Sequence, residues 1–333
     1  MNSLLASAAF HQSRSSDAIS GYLNSCVSSV NQPLPAGFRI GQYRIERRIS
    51  DGGFSIVYLA YDEQEAPVAI KEYLPAAFAR RTGAAPEPVV ATEHRAAFDQ
   101  GRRCFFEEAQ HLVQLKHKNV VRVLDFLRAN GTVYLVMEYE RGRTLQEHIH
   151  KLHGTLGENF LRYTFAHLLS GLREVHTQKL LHLDIKPANI YLRSDGTPVL
   201  LDFGASRQTL GRDTPPERAM HTPGFAAPEQ YGDDEPLGPW TDIYAVGATM
   251  YACLSGAKLP AADERRKKDQ LRPATAAWRG KYSAHLLGLI DGCLALDPLA
   301  RPQSIFALQR ELATPPPHWL HHIGSRLRQA VKK

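Results

Sequence analysis

The chain has few cysteines, and those it has follow no regular pattern. Cys26, Cys104, Cys253 and Cys293 are far apart in a chain of 333 residues, and no Cys-x-x-Cys pair occurs. Zinc sites and disulfide frameworks both require cysteines at characteristic spacings. Their absence argues against a structural zinc site and favours a reducing compartment, so we expect a cytoplasmic protein.

The sequence also lacks a long apolar run and a secretory signal. Residues 243–257 come nearest to a membrane span, but Gly247, Thr249 and Gly256 interrupt them, and they stay short of the roughly 18 apolar residues that a span needs. Residues 1–10 have neither a basic start nor a long apolar centre. We therefore predict a buried core helix at 243–257 and no signal peptide.

No strong excess of one charge is present either. Lysine plus arginine total 40 and aspartate plus glutamate 34, which gives a formal net charge of +6. A positive surplus can favour anionic partners. A chain of this length carries +6 without needing one, so we do not expect nucleic acid to bind. With 43% hydrophobic and 22% charged residues, the composition is typical of a soluble globular protein.

Short β-prone runs predict a small lobe over residues 43–139. Residues 1–42 are rich in Ser, Ala and Asn without sustained periodicity, and we interpret them as a flexible tail. From Tyr43 onward, "YRIERRIS", "SIVYLAYD" and "PVAIKEYL" are separated by turns, and "VVRVLDFL" and "TVYLVMEY" follow later. Between these two groups we predict an irregular insertion at about 74–101, in which residues 93–98 can form a short helix, and then a helix over 102–116.

Helical periodicity dominates from residue 140 to residue 313. It predicts helices at about 159–176, 242–255, 284–295 and 303–313, which form a larger lobe. Residues 314–333 form a basic amphipathic tail in which Leu320, Ile323, Leu327 and Val331 share one helical face. Docking on the helical lobe, peripheral contact with an anionic membrane and binding of a partner are the three alternatives for this tail.

Two acidic residues, a lysine and an asparagine follow a pattern typical of phosphoryl transfer. In "LLHLDIKPANIYL", Asp184, Lys186 and Asn189 have D-x-K-x-x-N spacing, and Asp202 follows in "LDFG". A hydroxyl that attacks a phosphoryl group needs a carboxylate to orient it, a cation on the transferred group and oxygen ligands for Mg²⁺. Asp184 would supply the first, Lys186 the second, and Asn189 with Asp202 the third. The alternative, a polar loop plus a surface turn, has to explain several spacings at once.

Lys71 stands among the apolar residues of the predicted strand "VAIK". Its stem would be buried, so its ammonium group needs an anionic partner, either phosphate oxygens or a carboxylate. The helix that follows offers Glu107 and Glu108 side by side.

From about residue 43 to residue 313, these motifs resemble a Hanks-type (eukaryotic-type) serine/threonine protein kinase. The resemblance implies an α+β, bilobal fold, with a small antiparallel β-rich N-lobe that holds one main helix and a larger, mostly helical C-lobe. It makes Glu108 the partner of Lys71, because Glu108 precedes an alanine and lies nine residues ahead of His117. "KEYLP" and the insertion resemble a subset of bacterial kinases.

The resemblance also assigns an adenine site and a set of supporting residues. Met137, Glu138 and Tyr139 resemble the gatekeeper and hinge, and Ala69 lines the ATP site beside them. Thr222 occupies the position that contacts the catalytic Asp and Lys. Structural roles are implied for His182, Asp242, which would anchor the catalytic loop, and Glu229 and Arg301, which would form a buried ion pair.

The turn in "ISDGGFSIVYLA" matches the glycine-rich phosphate loop of kinases only in part. Val57 fits the last position and Gly52 the middle glycine, but serines stand at the outer two, Ser50 and Ser55, and Gly53 is extra. Taken alone, an ordinary hairpin turn explains this stretch as well. We assign all five residues to ATP binding on the strength of the resemblance.

The resemblance implies a kinase that transfers the γ-phosphoryl group of ATP to Ser or Thr hydroxyls of proteins. It also implies a requirement for Mg²⁺ (or Mn²⁺), autophosphorylation and a role in signal transduction. A nucleotide-binding pseudokinase scaffold is the main alternative. The weak glycine loop favours it, and the complete set of Lys71, Asp184, Asn189 and Asp202 argues against it. Ala227, Pro228 and Glu229 in "AAPEQ" resemble the Ala-Pro-Glu element of the family. This element and Thr222 argue against a third interpretation, a small-molecule phosphotransferase.

Leu183 departs from the family pattern, which has an arginine directly before the catalytic Asp. That arginine receives the phosphate of a phosphorylated activation loop through charge-assisted hydrogen bonds. Leucine cannot do this, so we predict that the loop over residues 205–226 is ordered without phosphorylation of Thr209 or Thr214, or by other contacts.

Overall fold

The computed structural model describes residues 31–83, 85–152, 156–203, 207–208, 221–232 and 235–314, apart from the side chains of residues 108, 111, 207 and 208. Thr209, Thr214 and the tail beyond residue 314 lie outside these residues, and what we predict for them stays a prediction.

A six-stranded antiparallel sheet forms the small lobe. Its strands are β1 (Arg39–Ile40), β2 (Tyr43–Asp51), β3 (Ser55–Tyr61), β4 (Pro67–Tyr73), β7 (Val123–Ala129) and β8 (Thr132–Glu138), in the spatial order β1-β2-β3-β4-β8-β7. Successive side chains of a strand point to opposite faces. On β4, Lys71 and Glu72 therefore project from opposite sides of the sheet.

The insertion is less irregular than the sequence predicts. β5 (Ala79–Arg80) pairs with β6 (Val89–Val90), and helix α1 runs without a break over Arg95–Leu112. The helix thus begins inside the predicted insertion and passes through Gly101. A Cβ at Gly101 would overlap the hydroxyl of Tyr73 and stand 2.9 Å from its Cζ, so this glycine allows α1 to pack closely on β4.

Residues 31–42 belong to the fold, although the prediction placed them in a flexible tail. Leu34 and Ile40 are 4% and 1% exposed, and Ile40 lies in β1, which pairs with β2. Asn31 donates hydrogen bonds to the carbonyls of Leu74 and Ala79 at 3.4 and 3.1 Å. A strand of this length leaves too few residues for a periodic signal.

Helices build most of the large lobe. They are α2 (Leu145–Lys151), α3 (Glu158–Thr177), α4 (Pro239–Ser255), α5 (Ala262–Lys267), α6 (Ala274–Ala277), α7 (Ala284–Cys293) and α8 (Ile305–Ala313). Every residue of α4 from Thr241 to Leu254 is buried, and the helix ends at Gly256, whose φ of +74° is typical of a C-terminal glycine. In the described part of the chain, no helix is long and apolar enough to cross a membrane.

Short strands carry the polar loops at the junction of the lobes. β9 (Gly142–Thr144) and β12 (Pro198–Leu200) flank β11 (Ile190–Arg193), and β10 (Leu180–Leu181) pairs with β13 (Arg207–Gln208). The loop after β10 contains Asp184, and the residues after β12 contain Asp202. This arrangement brings two loops that are distant in sequence to one edge of the large lobe.

Candidate active site

Asp184 lies at the centre of a set of hydrogen bonds. Thr222 Oγ1 donates to Asp184 Oδ1 at 2.7 Å, and Lys186 Nζ donates to Asp184 Oδ2 at 2.7 Å. Lys186 Nζ also donates to Thr222 Oγ1 at 2.8 Å. Asn189 Nδ2 completes the set with 2.9 Å bonds to the carbonyl and to Oδ2 of Asp184. The carboxylate is thus fixed in place at a partly exposed position.

Asp242 on α4 holds the backbone of the same loop from below. Its carboxylate accepts the N–H of His182 at 2.9 Å and the N–H of Leu183 at 2.8 Å, and His176 Nε2 lies 2.7 Å from its Oδ2. Burial by itself would raise the pKa of Asp242, but the hydrogen bond and charge of His176 and the amide of His182 outweigh it and lower that pKa. A buried carboxylate therefore fixes the backbone of this loop.

Two residues of the site have backbone conformations that residues other than glycine rarely adopt. Leu183 and Asp202 have φ values of +63° and +58°. Such conformations cost about 1 kcal/mol or more and persist where the surroundings hold them. Leu183 is held by the bond to Asp242 and by Gln230 Nε2, which donates to its carbonyl at 2.9 Å, and it is 2% exposed.

An ion pair between Lys71 and Asp202 joins the two lobes. Lys71 is 7% exposed and also lies 5.7 Å from the centre of the Phe105 ring on α1. Glu108 lies on α1 as predicted, but its side chain is outside the described part of the structure. Phe203, which follows Asp202, is buried with its ring 4.6 Å from that of His182.

The predicted phosphate loop is the tight turn between β2 and β3. Gly52 N–H donates to Ser55 O at 2.9 Å, and Val57 lies opposite both Ser50 and Lys71 in the sheet register. Neither Gly52 nor Gly53 has a positive φ, and the space of a Cβ at Gly53 is open. Neither backbone strain nor a close contact with a described residue therefore requires glycine at these two positions.

The predicted adenine residues line one stretch of the cleft. Ala69 on β4 pairs with Met137 at the end of β8, and Glu138 N–H donates to Arg122 O at 2.9 Å. Tyr139 continues from Glu138 into the connection between the lobes. This places the predicted gatekeeper and hinge beside the strand of Lys71.

The predicted structural pair is present in the large lobe. Arg301 Nη1 and Nη2 donate to the two carboxylate oxygens of Glu229 at 2.7 and 3.0 Å, and both side chains are fully buried. Thr241 Oγ1 adds a 2.9 Å bond to Glu229. The pair fixes the segment that contains Gln230, and so it supports the carbonyl of Leu183.

The side-chain oxygens at the cleft fit the binding of a nucleoside triphosphate with Mg²⁺. Asn189 binds Asp184 through its amide nitrogen, which leaves its Oδ1 for a metal ion. Asp202 has a side chain that is 42% exposed, and Leu201 N–H donates to Asn189 O at 2.8 Å, so the two residues adjoin. Hard oxygen donors of this kind are those that Mg²⁺ prefers.

A family model described as the protein kinase domain matches residues 43–312. The chain belongs to the protein kinase family. The expected resemblance to Hanks-type serine/threonine protein kinases is confirmed, as is the expected bilobal α+β fold.

Two curated relatives and one solved structure illustrate the match. The kinase is 30% identical over 201 residues to sperm motility kinase 3A of Mus musculus, covering 59% of this chain and 38% of the relative. It is 27% identical over 234 residues to the serine/threonine-protein kinase SIK3 homolog of Danio rerio, covering 70% and 18%. The chain thus spans less than half the length of these relatives. The structure of PpkA-294 in its apo form superposes with a TM-score of 0.74 and 33% identity, covering 84% of this kinase and 99% of that chain.

Sequence reasoning missed two residues that support the catalytic loop of the kinase. His176 binds Asp242, and Gln230 binds the carbonyl of Leu183. His176 precedes the motif on α3 and carries no local pattern of its own. Gln230 acts on a backbone carbonyl, which leaves no complementary residue type in the sequence to search for.

Proposed function

We propose that this chain is an ATP- and Mg²⁺-dependent kinase that phosphorylates Ser and Thr hydroxyls of protein substrates. The arrangement around Asp184 is the main support. Its carboxylate is held by Lys186, Thr222 and Asn189, each within 3 Å. The ion pair of Lys71 and Asp202 joins the small lobe to the large lobe. These are the groups that transfer of a phosphoryl group to an alcohol requires.

Each residue has one task in the proposed reaction. Asp184 orients the incoming hydroxyl and accepts its proton as the oxygen–phosphorus bond forms. The bond from the γ-phosphorus to the bridging oxygen breaks, and its electron pair leaves with ADP. Lys186 offsets charge on the transferred group, and Lys71 binds phosphate oxygens.

Asn189 and Asp202 would hold the metal ion. When bound, Mg²⁺ or Mn²⁺ supplies positive charge to the phosphates of the nucleotide. Thr222 keeps Asp184 and Lys186 in register through its hydroxyl, which donates to one and accepts from the other.

A labelling assay tests the proposal. The chain is incubated with γ-labelled ATP, Mg²⁺ and a generic protein acceptor, beside Asp184→Asn. Loss of the proton acceptor should lower the labelling rate roughly 10²–10⁴-fold. Asp195→Asn is the matched control, since this exposed aspartate follows β11 outside the cleft, and its rate should stay within about twofold of wild type.

The products decide between the alternatives. Label on Ser or Thr of the acceptor supports a protein kinase, and label on the chain itself supports autophosphorylation. Equal label with Asp184→Asn contradicts the role of Asp184. ATP binding without label in the wild type favours the pseudokinase scaffold.

A further inference from the structure

The phosphate loop is attached to the segment that follows β4. Leu74 N–H donates to the carbonyl of Phe54 at 2.9 Å, and Ala76 N–H donates to the carbonyl of Gly53 at 2.8 Å. A peptide group is planar and trans, so its C=O and N–H point in opposite directions. Fixing the carbonyl of Gly53 therefore directs the N–H of Phe54 away from residues 74–76.

These bonds leave donors at the tip of the loop. Among the described residues, no acceptor receives the N–H of Gly53 or of Phe54. Backbone N–H groups that point into a polar cavity bind phosphate oxygens well. The bonds to residues 74–76 thus set the direction of groups that a nucleotide would contact.

Residues 74–76 are themselves held from their other end. Pro75 O accepts the N–H groups of Phe78 and Ala79 at 3.0 and 2.9 Å, which folds the chain into a turn. Asn31 closes the turn by donating to Leu74 O and Ala79 O. Asn31 Oδ1 in turn accepts the N–H of Arg81 at 2.8 Å, so the turn leads directly to Arg81.

Arg81 is anchored in a buried polar cluster on the outer face of the sheet. Its Nη1 and Nη2 donate to the two oxygens of Glu72 at 2.6 and 2.7 Å, and the two side chains are 2% and 0% exposed. Tyr58 and Tyr134 donate their hydroxyls to Glu72 at 2.7 and 2.8 Å. Burial, and after it the charge of Glu72, raises the pKa of both tyrosines, so they stay protonated as donors.

The guanidinium also reaches two carbonyls outside Glu72. Arg81 Nε donates to Gln32 O at 2.8 Å, and Arg81 Nη1 donates to Pro86 O at 3.3 Å. The planar fork of arginine makes this set of bonds, which the single ammonium group of lysine cannot reproduce. One side chain thus fixes the segment at residue 32, strand β4 and the end of the turn.

We propose that Arg81 is a positioning residue for ATP: through Glu72 and the turn at residues 74–79 it fixes the phosphate loop. The proposal rests on the proposed use of ATP. It also explains how a loop with serines at two glycine positions, Ser50 and Ser55, keeps a defined shape. Lys71 and Glu72 are neighbours on β4, so one strand holds the phosphate lysine on one face and this anchor on the other.

Two variants and one control test the proposal. Arg81→Lys keeps a charge beside Glu72 but loses the fork, and Arg81→Met loses both. Arg265→Lys is the matched control, because Arg265 is 5% exposed and binds Asp269 through Nε and Nη2 at 3.0 and 2.9 Å in the other lobe. All are compared by hydrogen exchange at the Leu74 and Ala76 amides and by KM for ATP and for the acceptor.

For Arg81→Lys we expect faster exchange at both amides and a KM for ATP raised roughly tenfold, which corresponds to about 1.4 kcal/mol of lost binding free energy. KM for the protein acceptor should stay unchanged. Arg265→Lys should lower the melting temperature without either effect. A merely structural role predicts lower melting temperature in all variants with KM for ATP unchanged, and that result would overturn the proposal.

The two readouts separate this proposal from the proposed function. If wild type binds no ATP, the proposed function fails, and exchange at Leu74 and Ala76 still decides whether Arg81 fixes the loop. If wild type binds ATP and the Arg81→Lys variant, folded at the assay temperature, has unchanged exchange and KM, Arg81 has no positioning role. Should Arg81→Met not fold, Arg81→Lys alone carries the comparison.

Discussion

The two lobes hold their parts of the cleft by different kinds of contact. In the large lobe, side chains converge on two carboxylates: Lys186, Thr222 and Asn189 on Asp184, and His176 with two backbone amides on Asp242. In the small lobe, backbone bonds from Leu74 and Ala76 hold the phosphate loop, and the buried ion pair of Arg81 and Glu72 lies on the far face of the sheet.

This difference has a consequence for sequence variation. A site held by side chains requires particular residue types, and Asp184, Lys186 and Asn189 are all present in the chain. A loop held through its backbone tolerates other side chains, provided that the bonds survive. The serines at positions 50 and 55 are compatible with the second kind of support and not with a strict motif.

Removing one partner of the buried pair in the large lobe should have the largest effect on stability. Arg301→Met leaves Glu229 buried without its cation, which we expect to lower the free energy of unfolding by about 3–5 kcal/mol. KM for ATP of the folded protein should not change, in contrast to Arg81→Met. Urea unfolding measures the free energy of unfolding. A rise in KM for ATP as large as that of Arg81→Met would contradict the difference between the two lobes.

The matched control for this change is an exposed pair of the same lobe. Arg266 binds Glu235 at 2.6 Å, and both side chains are more than a third exposed. Because solvent screens such a pair, Arg266→Met should cost less than about 1 kcal/mol.

Asp242→Asn tests the carboxylate under the catalytic loop through its pH dependence. The folded-state pKa of Asp242 is lowered, so its charge stabilises the fold above the unfolded value of about 4, and this contribution is lost as pH falls through the folded value. We expect Asp242→Asn to be less stable than wild type by about 2–3 kcal/mol at pH 7. The difference should shrink as pH falls through the folded value, and a difference that does not depend on pH would contradict this.

Gly101→Ala tests the contact between α1 and β4 in the small lobe. Alanine normally stabilises a helix interior by up to about 1 kcal/mol over glycine. At Gly101 the added Cβ meets Tyr73, so we expect a loss of about 1–3 kcal/mol instead. Tyr73→Phe should recover part of this loss, and thermal unfolding of the single and double variants measures it.

Gly288 in α7 provides the matched control for that prediction. No atom lies within 4 Å of a Cβ placed at this helical glycine. Gly288→Ala should therefore stabilise the protein by about 0.5–1 kcal/mol. Stabilisation by Gly101→Ala of the same size would show that Tyr73 does not set the distance between helix and strand.

Substitutions of Thr222 test whether the positions of Asp184 and Lys186 depend on one hydroxyl. Thr222→Val removes the donor to Asp184 and the acceptor for Lys186, and we expect kcat to fall roughly tenfold, equivalent to about 1.4 kcal/mol. Thr222→Ser keeps the hydroxyl and should retain most of the rate. Equal losses in both variants would assign the effect to packing of the methyl group.

The spacing of residue types was informative about which side chains the fold brings together. The spacing of Asp184, Lys186, Asn189 and Asp202 predicted residues that the structure brings to one cleft. The buried pair of Glu229 and Arg301 and the anchor Asp242 followed from the resemblance in the same way.

The sequence was less informative where support comes from the backbone or from packing. Nothing in the types of Leu74 and Ala76 indicates that their amides hold the phosphate loop. The predicted helix starts after Gly101, whereas α1 runs through it, and the position of Tyr73 explains why glycine stands at this point of the helix. The prediction of a flexible tail is wrong for residues 31–42, because a strand of two residues such as β1 produces no detectable period.

Among these predictions, the smallest effect on activity is expected from substitutions in the activation loop at residues 205–226. Leu183 stands where a phosphate-binding arginine is usual, it is 2% exposed, and its backbone is fixed by Asp242 and Gln230. A buried leucine offers no charge-assisted bond to a phosphate, so the combined variant Thr209→Ala and Thr214→Ala should change kcat by less than about threefold. The contacts described above, among them those of Asp242, Gln230 and Thr222, would then hold the catalytic loop without a phosphate. A hundredfold fall in kcat would mean that a phosphate on the loop finds another cation, and that the large lobe also depends on a contact outside its motif.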